Sequence, residues 1–190
     1  MHNIYNPFLC PWWINPQMYN LNNMYNIQKA HSYPYWVNMP TCKSKFSKQP
    51  TKLKDYGPDP FVVDIEKATK QNNNYRIALW TGENLQVTLM SIDAGEDIGL
   101  EIHPELDQFI RIEEGQGIVR MGDTKDKLDY QKKVYDDFAI MIPAGKWHNL
   151  INTGNEPLKL YSIYAPPEHP RNTVHKTKAI AQAAEENYAD

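Results

Sequence analysis

The chain has 190 residues, enough for one domain with a substantial core, and a net charge of −3. Lys and Asp/Glu are mixed throughout, so it offers no basic face for nucleic acid. A mean hydropathy of −0.67, with no apolar run near the roughly 20 residues needed to cross a bilayer, argues against a membrane protein.

Residues 1–58 read as a low-complexity, disordered extension, crowded with Asn, Tyr, Pro, Trp and Met and holding no helical or strand period. Its start, MHNIYNPFLCPWWINP, lacks the basic residues and apolar stretch of a secretory signal, so the expected compartment is the cytoplasm. Cys10 and Cys42 both lie here and read as reduced thiols, with cross-linking as their other use. TKLKDYGPDP then reads as a hinge, with Gly57, Pro58 and Pro60 as breakers. In FVVDIEKATKQNN, Val62, Ile65, Ala68 and Thr69 recur at helical spacing and predict one short amphipathic helix.

From Tyr75 the pattern changes to short strands. YRIALWT, NLQVTLMSI, GLEIH, QFIRIEE, GIVRMG, FAIMIP, HNLIN and LKLYSIYA are punctuated mostly by Gly, Asn, Asp or Pro. So many strands in so short a stretch predict an all-β sandwich or barrel over 59–175. The Ala-rich HKTKAIAQAAEENYA predicts a closing helix over 176–190.

Two strand-rich segments carry the candidate chemistry. In GLEIH, side chains two apart share a face, so Glu101 and His103 project together, with Leu100 and Ile102 opposite. Pro104 ends that strand, and a turn is expected to bring Gln108 across from the pair, with Ile110 and Ile112 continuing its face and Arg111 outward. His148 follows the bend at Pro143 and Gly145. Two imidazoles, one carboxylate and a weaker amide oxygen suit a divalent transition ion with open positions, such as Fe, Mn, Ni, Co or Zn. His169 and His175 follow the last predicted strand and read as surface residues.

These segments resemble the two motifs of the cupin superfamily. The first, G-x5-H-x-H-x3-4-E-x6-G, is met from Gly95 through Glu101, His103 and Gln108 to Gly115; the second, G-x5-P-x-G-x2-H-x3-N, at Pro143, Gly145, His148 and Asn152. Glu101 stands where the first His is usual, Gln108 where Glu is usual, and Asp137 where the second motif begins with Gly. The resemblance implies a double-stranded β-helix, the jelly-roll barrel of small bacterial RmlC-like cupins, with Glu101, His103, Gln108 and His148 as metal ligands. It also implies a homodimer and a small-molecule ligand.

Two function classes follow. One is a metal-dependent enzyme acting on a small polar molecule, like a sugar-phosphate isomerase or a dioxygenase. No residue is assigned a catalytic role, because Glu101 cannot readily be both ligand and base. The other is a binding or structural protein. The extension's composition resembles tails of bacterial spore-coat proteins, which would place the chain at the spore surface.

Overall fold

The computed structural model describes residues 50–186. Most of the predicted extension, with Cys10 and Cys42, and the last four residues of the predicted closing helix lie outside them. The described chain runs α1 (Ile65–Gln71), β1 (Arg76–Thr81), β2 (Gln86–Ile92), β3 (Asp107–Glu114), β4 (Gly117–Gly122) and β5 (Tyr130–Val134). It continues through β6 (Ala139–Ile142), β7 (Trp147–Asn152), β8 (Leu158–Ala165), β9 (Val174–His175) and α2 (Lys178–Glu186). The all-β prediction holds, with short helices at both ends. No described helix is long and apolar enough to cross a membrane.

The strands form two antiparallel sheets, ordered β6-β3-β8-β2-β1-β9 and β5-β4-β7. Alternation decides what each buries. On β3, Gln108, Ile110 and Ile112 point inward, as predicted, and on β7 His148, Leu150 and Asn152 do so. These apolar residues share one core with Met90, Ile92, Val119, Met121 and Leu160. A His at such a position is therefore held by the surrounding β-structure.

The outer face of the larger sheet has its own cover. Ala68 of α1 packs with Ile77, Leu79 and Leu89, and Leu53, Tyr56 and Phe61 lie against them. Here the structure departs from the sequence reading: the stretch expected to be a hinge is a packed strap. The Tyr56 amide donates to Leu79 O at 2.9 Å. The Asp55 carboxylate accepts from the amides of Gly57, Thr81 and Asn172 and from the Thr81 hydroxyl. The predicted short helix forms as α1 but begins later than the spacing from Val62 implies, at Ile65, with Asp64 Oδ1 capping the Lys67 amide at 3.1 Å. Val62 lies before the helix and is 97% exposed.

A second departure concerns GLEIH, which forms no continuous strand. Gly99, at φ +92°, breaks the extended run, leaving one isolated bridge from Glu101 to His148. Conversely β5, YQKKV, was not predicted: it is a mostly exposed edge strand whose side chains show no apolar alternation.

Candidate metal centre

The Glu101–His148 bridge builds the site. Glu101 N donates to His148 O at 3.0 Å and His148 N to Glu101 O at 2.9 Å, a reciprocal pair that puts both side chains on one face. Cross-strand pairing therefore joins Glu101 to His148, and not to Gln108 as expected. His103 is tied in from the other side: its carbonyl accepts from Gly145 N at 2.8 Å. That amide belongs to a β-turn closed by Lys146 N donating to Pro143 O. Gly145 occupies its third position at φ +74°, a conformation that glycine adopts without steric penalty.

One donor atom from each of Glu101, His103 and His148 lies within 4.8 Å of the others. Glu101 Oε1 is 3.6 Å from His148 Nε2, and the imidazole centroids are 5.4 Å apart. Donors about 2.1 Å from a shared ion stand roughly 3.0–3.4 Å apart at octahedral to tetrahedral angles, so small movements would close the set.

The imidazole nitrogens give the more telling fit. His103 Nδ1 lies 3.2 Å from Glu168 Oε1, and His148 Nδ1 lies 3.0 Å from the Lys146 carbonyl. Both Nε2 atoms are buried without a hydrogen-bond partner among the described residues. Engaging one nitrogen of each ring while leaving the other free is how proteins orient histidine toward a metal. Buried polar atoms left unpaired cost about 1–3 kcal/mol each, which an ion would relieve. The residues present fit a divalent metal.

Gln108 is buried on the same interior, opposite Tyr164 in the β3–β8 register. Its Nε2 donates to Ser162 Oγ at 2.9 Å, leaving a buried, unpartnered Oε1. Of the four sequence-predicted donors, Glu101, His103 and His148 converge directly, while Gln108 lies on β3 opposite Tyr164.

Charge balance comes from a residue the sequence reading missed. Arg76 on β1 is 1% exposed; its Nη1 contacts Glu185 Oε1 at 2.8 Å and its Nη2 lies 3.9 Å from Glu101 Oε2. Burial opposes a charged Glu101, but His148 and Arg76 outweigh it and hold the carboxyl below its ordinary value. Burial likewise opposes a charged His103, yet the hydrogen bond to Glu168 and the nearby Glu101 raise it.

A cavity of about 830 Å³ opens over Glu101 and His103. His169 and His175 line it, contrary to the expectation that they sit at the surface, because the chain after β8 folds back across the barrel mouth. Glu168 and Glu185 come from the same returning segment. A single charged residue inside the otherwise apolar run of YRIALWT was the one available signal for Arg76. Asn152, the last residue of the second motif, is structural: its Nδ2 donates to Ile92 O, Asp93 O and Glu156 O. Asp137, standing where that motif has Gly, keeps a glycine-like φ of +69°.

Residues 88–164 match the family described as "Cupin domain". The chain is 56% identical over 190 residues to the uncharacterized protein YrkC of Bacillus subtilis (strain 168), covering 96% of this chain and 99% of that protein. An uncharacterized protein of Acanthamoeba polyphaga mimivirus is 43% identical over 111 residues, covering 58% of this chain and 68% of the viral one. The crystal structure of BH2720 from Bacillus halodurans is 68% identical with a TM-score of 0.69, covering 69% of this chain and 99% of that one.

Proposed function

The chain belongs to the cupin superfamily, and from that premise we propose that it is a metal-dependent enzyme acting on a small polar molecule. One divalent ion would be held by Glu101, His103 and His148, with the Gln108 amide oxygen as a further donor. The observation that carries this reading is the pair of buried, unpartnered Nε2 atoms on imidazoles whose Nδ1 atoms are already engaged. When bound, such an ion supplies Lewis-acid polarisation of a carbonyl or hydroxyl oxygen.

The chain's own groups do the rest. Glu168 and the Lys146 carbonyl hold the two imidazoles in register, and Arg76 keeps Glu101 ionised. Trp147, Leu100 and Ile102 supply apolar wall to the cavity. Isomerisation of a hydroxy-carbonyl compound needs a proton carrier outside the ligand set; in that wall burial lowers the His169 pKa to about 2, too weak a base, and leaves His175 as the candidate. This favours isomerisation over oxygenation, which would need only a redox-active ion.

The test begins with elemental analysis of the purified full chain beside Glu101→Ala and His148→Ala. Wild type is expected to retain close to one divalent ion per chain and both folded variants to lose it. Deuterium uptake from solvent into hydroxy-carbonyl compounds would then support isomerisation, and oxygen consumption after iron loading would support oxygenation. Equal metal content in all three proteins would overturn the reading.

A further inference from the structure

The cavity has walls of two origins. The barrel supplies Glu101, His103 and Trp147, whereas Glu168, His169, His175 and Glu185 come from the segment beyond the Cupin-domain match. That segment is held firmly. Gln86, fully buried at the start of β2, clamps the His169 main chain: its Nε2 donates to His169 O at 2.8 Å and its Oε1 accepts from His169 N at 2.9 Å. The His169 ring stands edge-on to Tyr164 at 5.1 Å, and Tyr164 in turn meets His103 at 5.7 Å. His175 pairs with Arg76 across the β1–β9 ladder.

His169 Nε2 and His175 Nδ1 are buried without hydrogen-bond partners among the described residues. Burial first, and Arg76 second, hold both imidazoles below their ordinary protonation range. A neutral imidazole presents one donor and one acceptor, the complement of a hydroxyl group.

Charge narrows the ligand further. Among the described residues, three carboxylates, Glu101, Glu168 and Glu185, line the cavity, and no Lys or Arg does. Arg76, behind them, is engaged by Glu185 and lies beside Glu101. One guanidinium and one divalent ion balance those three carboxylates and leave no unpaired cation for a phosphate dianion. Phosphate sites ordinarily supply Arg, Lys or a helix N-terminus for that purpose.

We propose that His169 and His175 are the recognition residues of the metal pocket, and that they select an uncharged hydroxy-carbonyl molecule over a phosphate ester. This rests on the metal-enzyme reading and adds a substrate class to it.

The experiment uses the full chain loaded with Mn2+, with metal stoichiometry and affinity measured first. Two probes are titrated: acetohydroxamic acid, a hydroxy-carbonyl analogue that is uncharged when free at neutral pH and chelates the ion with release of its N-hydroxyl proton to the buffer, and inorganic phosphate. Binding is read from the loss of metal-bound water by proton relaxation. Acetohydroxamic acid is expected to bind at least about tenfold more tightly than phosphate. His169→Leu and His175→Leu should each weaken it about fivefold or more while Mn2+ affinity stays within about twofold. Should a Leu variant fail to fold, His169→Gln and His175→Gln replace it, with a smaller loss of the same sign expected. Phosphate binding as tightly as the hydroxamate, no binding of the hydroxamate, or folded His169 and His175 variants that bind it like wild type would each overturn the proposal. Failure to take up Mn2+ is seen at the first step; it removes the metal-enzyme reading, and this proposal with it.

Discussion

Glu168→Ala tests the orientation of one proposed ligand. Glu168 touches the triad through His103 Nδ1, at 3.2 Å, and its side chain is 34% exposed, so the folded core should tolerate its removal. Loss of such a partner to a metal-binding His typically weakens the metal 10- to 100-fold; a central value of about 30-fold corresponds to about 2 kcal/mol. Linkage converts this to stability. At a metal concentration about a hundredfold above the wild-type dissociation constant, the ion stabilises wild type by ~2.7 kcal/mol. The same concentration is only about threefold above the variant's constant and stabilises it by ~0.9 kcal/mol. For a domain of this size the difference of ~1.8 kcal/mol shrinks the metal-induced rise in Tm by roughly 5–7 °C. Differential scanning calorimetry with and without Mn2+ reads that interval directly. Glu168→Gln keeps an acceptor for Nδ1 and should fall between the two. An Ala variant whose metal-induced shift matches wild type would show that Glu168 does not orient His103.

Three further outcomes follow from the same structure. Arg76→Met strands the Glu101 carboxylate in the wall, and breaking a buried pair typically costs about 3–5 kcal/mol; urea unfolding should show a loss near this in EDTA and a clearly smaller one with metal, which would compensate Glu101. Gly122→Ala would push a Cβ against the Lys127 carbonyl, whose backbone cannot yield as a flexible side chain could; a loss of about 1–3 kcal/mol is expected, with weaker metal uptake because neighbouring Met121 pairs with His148. Asp55→Ala tests the strap. Burial works against the Asp55 charge, but hydrogen bonds from Thr81, Asn172 and Gly57 win and lower its pKa. Its contribution is therefore fully present above the unfolded value, near 4, and lost as pH falls through the lower folded value. Wild type should exceed the variant by about 2 kcal/mol at neutral pH, solvent screening of this half-buried group included, and the gap should narrow in acid denaturation below about pH 4.

What was legible in the sequence is what alternation and local turns determine. HNLIN was legible as a strand, and in the structure its alternation puts His148, Leu150 and Asn152 on one inward face. The Pro-Ala-Gly turn before it was equally plain. Glu101 and His103 were correctly grouped, yet their partner was misassigned, because strand periodicity tells which residues share a face and not which strand lies alongside. The other half of the cavity depends on long-range closure. Arg76 meets Glu185 across 109 positions of sequence, and Gln86 clamps His169 across 83. Neither segment carries a local pattern for such contacts. His169 and His175, following a Pro-rich stretch, therefore read as surface residues until the returning chain placed them in the wall.

The exchange of residue types at the two unusual motif positions makes physical sense only with that wall in place. A carboxylate at 101 faces the Arg76 guanidinium, which is fully buried and stays charged. At 108 the surroundings are Ser162, Tyr164 and the aliphatic face continued by Ile110, with a 3% exposed side chain. A carboxylate there would gain a hydroxyl but no cation, and an uncompensated buried charge is costly. A neutral amide keeps an oxygen available without that cost. The proposed donor set thus has one carboxylate, placed where β1 supplies its counter-charge. Gln108→Glu is therefore expected to destabilise the metal-free protein and to recover part of that loss when metal is added, whereas the loss would be the same with and without metal if position 108 lay away from the ion's field. Urea denaturation of Gln108→Glu, in EDTA and then with Mn2+, distinguishes the two.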